Sequence, residues 1–320
     1  MAMLIGMDIG GTNLRLGVVQ HQDGKVKLVE EMRFQADFSS LCKNHSPVVA
    51  WQEIVKTVAT AIHNAQQKYP QIAAVGIGFP GFIDPVTQNI SQSPNLPGLK
   101  DVALSADLMR ILKIPVITEN DALAAAYGEY IMQVPRQKDL LYIGLGTGVG
   151  GGLIVGGQPF PGQHGVAMEI GHMIYEAEGR PCGCGNQGCM EQYASASGVS
   201  ISYFNATQQH CQSLEVAIRA ADGDPDALAA YALAGTALAT TLAHILKVVD
   251  VSNVVIGGGM SGGWSLMKDA FELRLEQDLI PALRGKTSVS ISDVDDHAGI
   301  FGAAILAEQQ LTQPLSQHIK

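Results

Sequence analysis

The sequence predicts an α/β protein of two domains, and three observations carry that prediction. Two glycine turns, Gly10-Gly11-Thr12 and Gly146-Thr147-Gly148, each have a strand running in and another running out. Short apolar runs at 73–78 and 115–118 end in small or polar residues and alternate with segments of helical spacing, as strands and covering helices do. After Asp121 the order of strand, glycine turn, strand and helix begins again, reaching a strand at 251–256 before Gly257-Gly258-Gly259. The chain therefore reads as two α/β units of similar plan with a cleft between them.

Each element has its own signal. Residues 4–8, 14–19 and 26–34 form a meander, with Asp23-Gly24 as a hairpin turn. Over 51–67, Trp51, Ile54, Val55, Val58, Ile62 and Ala65 recur at helical spacing, so one face is buried. The strand at 73–78 ends in Phe79-Pro80-Gly81, and the strand at 115–118 ends in Glu119-Asn120-Asp121 before a helix at 122–130. Leu153-Ile154-Val155 runs into Gly156-Gly157, another hairpin signal. A last helix covers 298–310.

Composition excludes several classes. The 320 residues are 47% hydrophobic and 16% charged, as in a compact globular protein. A net charge of −10 argues against nucleic-acid and anionic-membrane partners. The chain enters a strand at once, without a basic and apolar leader, so a cytoplasmic location is expected. Residues 227–249 are long enough to span a bilayer, but they are mostly alanine, threonine and leucine with His244 and Lys247 inside. A tightly packed internal or interface helix fits them better, and it points to a homodimer.

The two turns are the chemical signature. Each places backbone N–H groups and a threonine hydroxyl at a tight turn with no side chains blocking close approach, a way to hold phosphate. Gly146-Thr147-Gly148-Val149-Gly150-Gly151 matches the dinucleotide-binding string, but that site needs a helix after the last glycine, and a strand follows here. Gly285-Lys286-Thr287 is no Walker A loop, since Ile280 stands where its first glycine belongs. Five cysteines, three of them in one run (Cys182, Cys184, Cys189), make no disulfide framework. With His172 upstream they supply three thiolates and an imidazole, a closed tetrahedral Zn²⁺ set of the structural type.

Taken in order, the motifs resemble those of the ROK family of sugar kinases and sugar-responsive repressors. They are Asp8-Ile-Gly-Gly-Thr-Asn-Leu-Arg15, Gly78-Phe-Pro-Gly-Phe-Ile-Asp84, Pro94-Asn-Leu-Pro-Gly98, Glu119-Asn-Asp121, Leu145-Gly-Thr-Gly-Val-Gly-Gly-Gly152, Glu169-Ile-Gly-His172, Cys182-Gly-Cys-Gly-Asn-Gln-Gly-Cys-Met-Glu191 and Ile256-Gly-Gly-Gly259. The resemblance implies a two-domain, actin-like (RNase-H-like) sugar kinase fold with a central cleft. On the pattern above, a smaller domain would hold 1–121 and the C-terminal helix at 298–320, and a larger one 122–297 with the zinc loop. The resemblance further implies that Asp8 helps to position Mg²⁺, that Gly10, Gly11, Thr12, Gly146, Thr147 and Gly148 hold ATP phosphates, and that Gly257, Gly258 and Gly259 lie against the adenosine. Gly81, Asn95, Asn120, Asp121, Glu169, His172 and Glu191 match sugar-contacting positions. Asp121 matches the catalytic base, and His172, Cys182, Cys184 and Cys189 match the zinc ligands.

The expected activity is ATP- and Mg²⁺-dependent phosphorylation of a free hexose at its 6-hydroxyl, glucose first. N-acetylglucosamine, N-acetylmannosamine, mannose, fructose and allose are the alternatives. Met168 departs from the family, which usually has a small residue before the glutamate of the Glu-x-Gly-His motif. A sugar-sensing repressor is the rival from another class. Only five residues precede Gly6, so no DNA-reading helix-turn-helix is expected.

Overall fold

A computed structural model describes residues 2–312. They divide into two compact units: one holds the residues up to 138, with 152–167 and those from 297 onward, and the other holds 139–151 and 168–296.

The first unit opens with the meander β1 (Ala2–Ile9), β2 (Asn13–Gln22) and β3 (Lys25–Gln35). Asp23 and Gly24 both have positive φ, the two-residue turn the sequence signals. Then come α1 (Phe38–Asn44), α2 (Pro47–Lys68), β4 (Ile72–Phe79), β5 (Phe82–Ile83), β6 (Ile90–Gln92), β7 (Lys100–Val102), α3 (Leu104–Leu112), β8 (Val116–Asn120) and α4 (Asp121–Met132). The main sheet has the order β3-β2-β1-β4-β8, and β5-β6-β7 form a small sheet of their own. β4 runs parallel to both β1 and β8, so the C-terminal ends of three strands lie side by side.

Alternation decides what covers each face of that sheet. Ile5, Met7, Ile9, Leu14, Leu16 and Val18 are fully buried in one cluster with Ile54, Val58 and Ile62 of α2. Glycines line the middle of the opposite face. A Cβ on Gly6 would strike the Ile300 carbonyl, and one on Gly76 the Ala303 carbonyl. Both carbonyls belong to α10 (Ala298–Thr312), so its backbone lies directly on the sheet. Likewise Gly302 of α10 meets the Ala124 carbonyl and Gly128 of α4 meets that of Ala298. This packing puts α4 in the first unit, which therefore extends past the boundary near Asp121 that the sequence pattern draws. Of the expected C-terminal helix at 298–320, residues 313–320 lie outside the described residues.

The remaining elements are β9 (Leu140–Leu145), β10 (Val149–Val155), β11 (Gln158–Pro159), α5 (Glu191–Ala194), α6 (Ala196–Thr207), α7 (Ser213–Ala221), α8 (Pro225–Val249), β12 (Asn253–Gly257), α9 (Trp264–Asp278) and β13 (Ser288–Ile291). Their sheet has the order β11-β10-β9-β12-β13, with β12 parallel to β9 and β13. The hairpin at Gly156-Gly157 forms as expected, both glycines having positive φ. Pro225 opens α8 behind the Asp224 cap. By length and composition α8 could cross a membrane, yet 56% of its most apolar window is buried within the protein. It packs on α9, α6, α7 and α5, and is a core helix of the second unit.

Candidate active site

In the first unit, the sheet register lines up the chemistry. Asp8 of β1 lies opposite Gly78 of β4, and Gly78 lies opposite Glu119 of β8. Gly78 presents no side chain between the two carboxylates; a Cβ there would sit 3.4 Å from the Asp121 Cα. Ligands dock at such strand ends in α/β sheets. The turn after Asp8 is closed by Gly10 N–H donating to the Asn13 carbonyl at 2.8 Å, and Thr12 is exposed. Ser39 ties this turn to a second expected residue. Its N–H donates to the Gly11 carbonyl at 3.0 Å, and its hydroxyl to the Asn95 carbonyl at 3.0 Å.

The strand-end turn of β8 is equally fixed. Asn120 Nδ2 donates to the Gly81 carbonyl at 3.1 Å, while its Oδ1 caps α4 by accepting from Leu123 N–H at 3.0 Å. The cap of α4 is thus Asn120 and not Asp121. Asp121 is the first residue of α4, and its Oδ1 accepts from Ala122 N–H at 2.8 Å.

Glu119 belongs to this cluster, although no role is assigned to it from the sequence. Burial pushes its carboxyl up to about 7, against the opposing pull of the Asn120 N–H on Oε1 at 2.8 Å. An acid raised in the folded state binds its proton more tightly there than in the unfolded chain. Its contribution is therefore full below pH 4.5 and is lost as the pH rises toward 7. Glu119→Gln removes that titration. The variant should melt close to wild type at pH 5 and be more stable at pH 8, by on the order of 2 kcal/mol. Parallel pH profiles in thermal melts would remove the buried acid.

The second unit carries the other expected residues. Gly146 N–H donates to the Gly148 carbonyl at 2.9 Å, and the turn is held from α6 by Ala196 N–H to the Gly146 carbonyl at 2.9 Å and the Ser197 hydroxyl to the Thr147 carbonyl at 3.0 Å. Gly257 of β12 lies opposite Gly144 of β9, so both glycine segments sit at adjacent parallel strand ends. Gly258 has φ +83° and packs on the Leu145 carbonyl, leaving Gly259 with open space around it. Glu191 Oε2 accepts from Val149 N–H at 2.9 Å and occupies the space where a side chain on Gly148 would go. Gly148 therefore accommodates a carboxylate as well as shaping the turn.

His172 joins two groups of residues. Its Nε2 faces Glu169 Oε2 at 3.7 Å, and its Nδ1 lies 3.6 Å from Cys182 Sγ. Burial raises the Glu169 carboxyl, with the Glu191 charge adding and His172 opposing. The donor atoms of His172, Cys182, Cys184 and Cys189 all lie within 4.8 Å of one another, with the Cys184 and Cys189 sulfurs 3.6 Å apart. Tetrahedral zinc with 2.3 Å sulfur bonds needs edges of about 3.8 Å, so this donor set fits zinc. Gln192 Nε2 donates to Cys182 Sγ at 3.6 Å, a supporting contact of the kind that orients metal ligands. Met168 has φ +65°. The place that usually holds a small residue thus bends into the left-handed region, at a cost for methionine of about 1–2 kcal/mol.

The model of the ROK family matches residues 4–310. The chain belongs to the ROK family. Among ROK relatives, the glucokinase of Streptomyces coelicolor is 31% identical over 97% of this chain and 98% of its own length. The N-acetyl-D-glucosamine kinase of Salmonella typhimurium is 32% identical over 95% and 99%. The ROK family glucokinase of Streptomyces griseus, solved in complex with glucose and AMPPNP, superposes with a TM-score of 0.80 at 30% identity, covering 96% of this chain and 100% of that one. This ROK chain is a sugar kinase, with the two-domain actin-like fold of those kinases. Its expected site residues divide between the two units: Asp8, Gly10, Gly11, Thr12, Gly81, Asn95, Asn120 and Asp121 in the first, and the rest in the second.

Proposed function

We propose that this kinase transfers the terminal phosphoryl group of ATP to the 6-hydroxyl of a free hexose, glucose first, with Asp121 as general base. The observation that carries the reading is the row at the strand ends of the first unit: Asp8, the Gly78 notch and, beside it, Asp121 at the start of α4. Phosphoryl transfer asks a protein for positioning, charge neutralisation and one proton acceptor. Asp121 would take the proton of the attacking hydroxyl. The N–H groups of the two glycine turns would bind phosphate oxygens, and Gly257-Gly258-Gly259 would leave room for the adenosine. Asp8 would hold Mg²⁺ through water; bound with the nucleotide, that ion neutralises phosphate charge.

Sugar hydroxyls would be bound by Asn95, Asn120, Asp121, Glu169, His172 and Glu191, with the Gly81 backbone. His172, Cys182, Cys184 and Cys189 would hold a structural zinc that fixes Glu169 and Glu191. A cytoplasmic homodimer remains part of the proposal, although α8, which first pointed to it, packs within its own unit; light scattering decides the assembly.

The test is coupled ADP release with ATP·Mg²⁺ against glucose, N-acetylglucosamine, N-acetylmannosamine, mannose, fructose and allose. Turnover with glucose at the highest kcat/KM is expected. A preference for N-acetylglucosamine would instead align the chain with its Salmonella relative. Silence across the panel with zinc present would point to a phosphoryl donor other than ATP or to a sugar-binding protein that no longer catalyses.

A further inference from the structure

Glu31 lies outside every motif described above, yet it braces both neighbours of Asp8. Asp8 and Arg15 are directly opposite in the antiparallel register of β1 and β2, so their side chains leave the sheet on one face with Cβ atoms about 5 Å apart. Glu31 of β3 is opposite Gly17, diagonal to Arg15, which lies opposite Arg33. Glu31 Oε1 accepts from Arg15 Nε at 2.8 Å and from Arg33 Nε at 2.9 Å, while Oε2 faces His297 Nε2 at 3.2 Å. His297 directly precedes α10, and a Cβ on Gly299, in the first turn of that helix, would lie 3.6 Å from the Asp8 Cγ. One carboxylate thus holds the guanidinium opposite Asp8 and the helix start packed against Asp8.

We propose that Glu31 is a positioning residue which, through Arg15, sets how tightly the Asp8 end of the site holds a Mg²⁺–nucleotide. The inference rests on the role proposed for Asp8 above. The Arg15 and Glu31 side chains are only 14% and 17% exposed, so little water screens their charges. Arg33, 66% exposed, contributes less. Hydrogen bonds from Arg15, Arg33 and His297 outweigh burial and hold the Glu31 carboxyl at about 2. It is therefore a fixed negative charge at any working pH. A mere brace between strands would need the hydrogen bonds and not the charge. A charge-balancing residue needs both, because losing Glu31 takes a negative charge from 2.8 Å away from Arg15 Nε, and the positive field that opposes a divalent cation near Asp8 then rises.

The discriminating variants are Glu31→Gln, which keeps the shape and removes the charge, and Glu31→Asp, which keeps the charge. Calorimetry with Mg²⁺ and a non-hydrolysable ATP analogue reads the site without turnover, and hexose titration reads the rest. Expected for Glu31→Gln is an apparent Kd for the Mg²⁺–analogue raised about tenfold, with hexose affinity unchanged. Glu31→Asp should recover most of the loss. Unchanged nucleotide affinity in Glu31→Gln, or hexose affinity falling in step, would overturn the proposal. Should Glu31→Gln fail to fold, His297→Asn removes the His297 contact to Oε2 and leaves that of Arg33 Nη2 at 3.3 Å, and should show a smaller loss of the same sign; no loss there would count equally against it. Wild type failing to bind the Mg²⁺–analogue would instead overturn the phosphate-site reading itself, and this inference with it.

Discussion

Asp121→Ala is expected to lower kcat by about 10³-fold, the middle of the range for removing a general base, while hexose still binds in calorimetry. The structure makes this a clean test of chemistry. The helix cap belongs to Asn120, whose Oδ1 receives the Leu123 N–H, so α4 should keep its start in the variant. The Asp121 side chain gives up a local hydrogen bond to Ala122 N–H, which is worth about 1 kcal/mol and should show as a small drop in Tm. A large fall in kcat with a folded, sugar-binding protein assigns the base. Turnover near wild type would dismiss Asp121. Glu119, two residues earlier in the same turn and held near neutrality by burial, would then be the carboxyl to test next.

Most of the first unit is legible in the sequence because its signals are local. The meander turn at Asp23-Gly24, the stripe of α2 and the hairpin glycines at 156 and 157 each specify their own geometry. The domain boundary is not legible in that way. It depends on Gly128 and Gly302 letting α4 and α10 touch along their backbones, and these residues are 174 positions apart, by subtraction of their numbers. In a one-dimensional reading each is only a glycine in a helix. The small β5-β6-β7 sheet is not legible for a related reason: strands of two or three residues are too short for alternation to register.

At the candidate site, the motif residues are legible in the sequence and the residues that hold them are not. Ser39 links the first glycine turn to Asn95, but nothing in its surroundings in sequence marks it. Glu31 reaches Arg15 along a diagonal between neighbouring strands, a contact that pairs residues 16 positions apart. Gly148 was legible as a turn residue, whereas its second role, making room for Glu191, needs a contact across 43 positions, again by subtraction. Met168 was visible as a departure from the family, and the backbone supplies the physical reason: φ +65° is where glycine is at ease and methionine is strained.

Cys184→Ser should release zinc and lower hexose affinity by about 10–100-fold, the usual penalty for disturbing groups that orient a site. Cys184 is the exposed member of the cluster, Cys182 and Cys189 being buried. Replacing its sulfur by oxygen therefore changes ligand chemistry with little loss of packing. The coupling to sugar would run through His172. Zinc held by the cluster would fix the imidazole, and the imidazole faces Glu169 Oε2 at 3.7 Å. Losing one thiolate opens the closed set, and metal binding and local folding are lost together. Metal analysis and calorimetry on the same sample separate the steps. Zinc lost and affinity lost together support the coupling, and removing zinc from wild type with a chelator should reproduce the loss. Zinc lost with affinity intact would leave the metal holding only its own loop, and zinc fully retained would remove Cys184 from the ligand set.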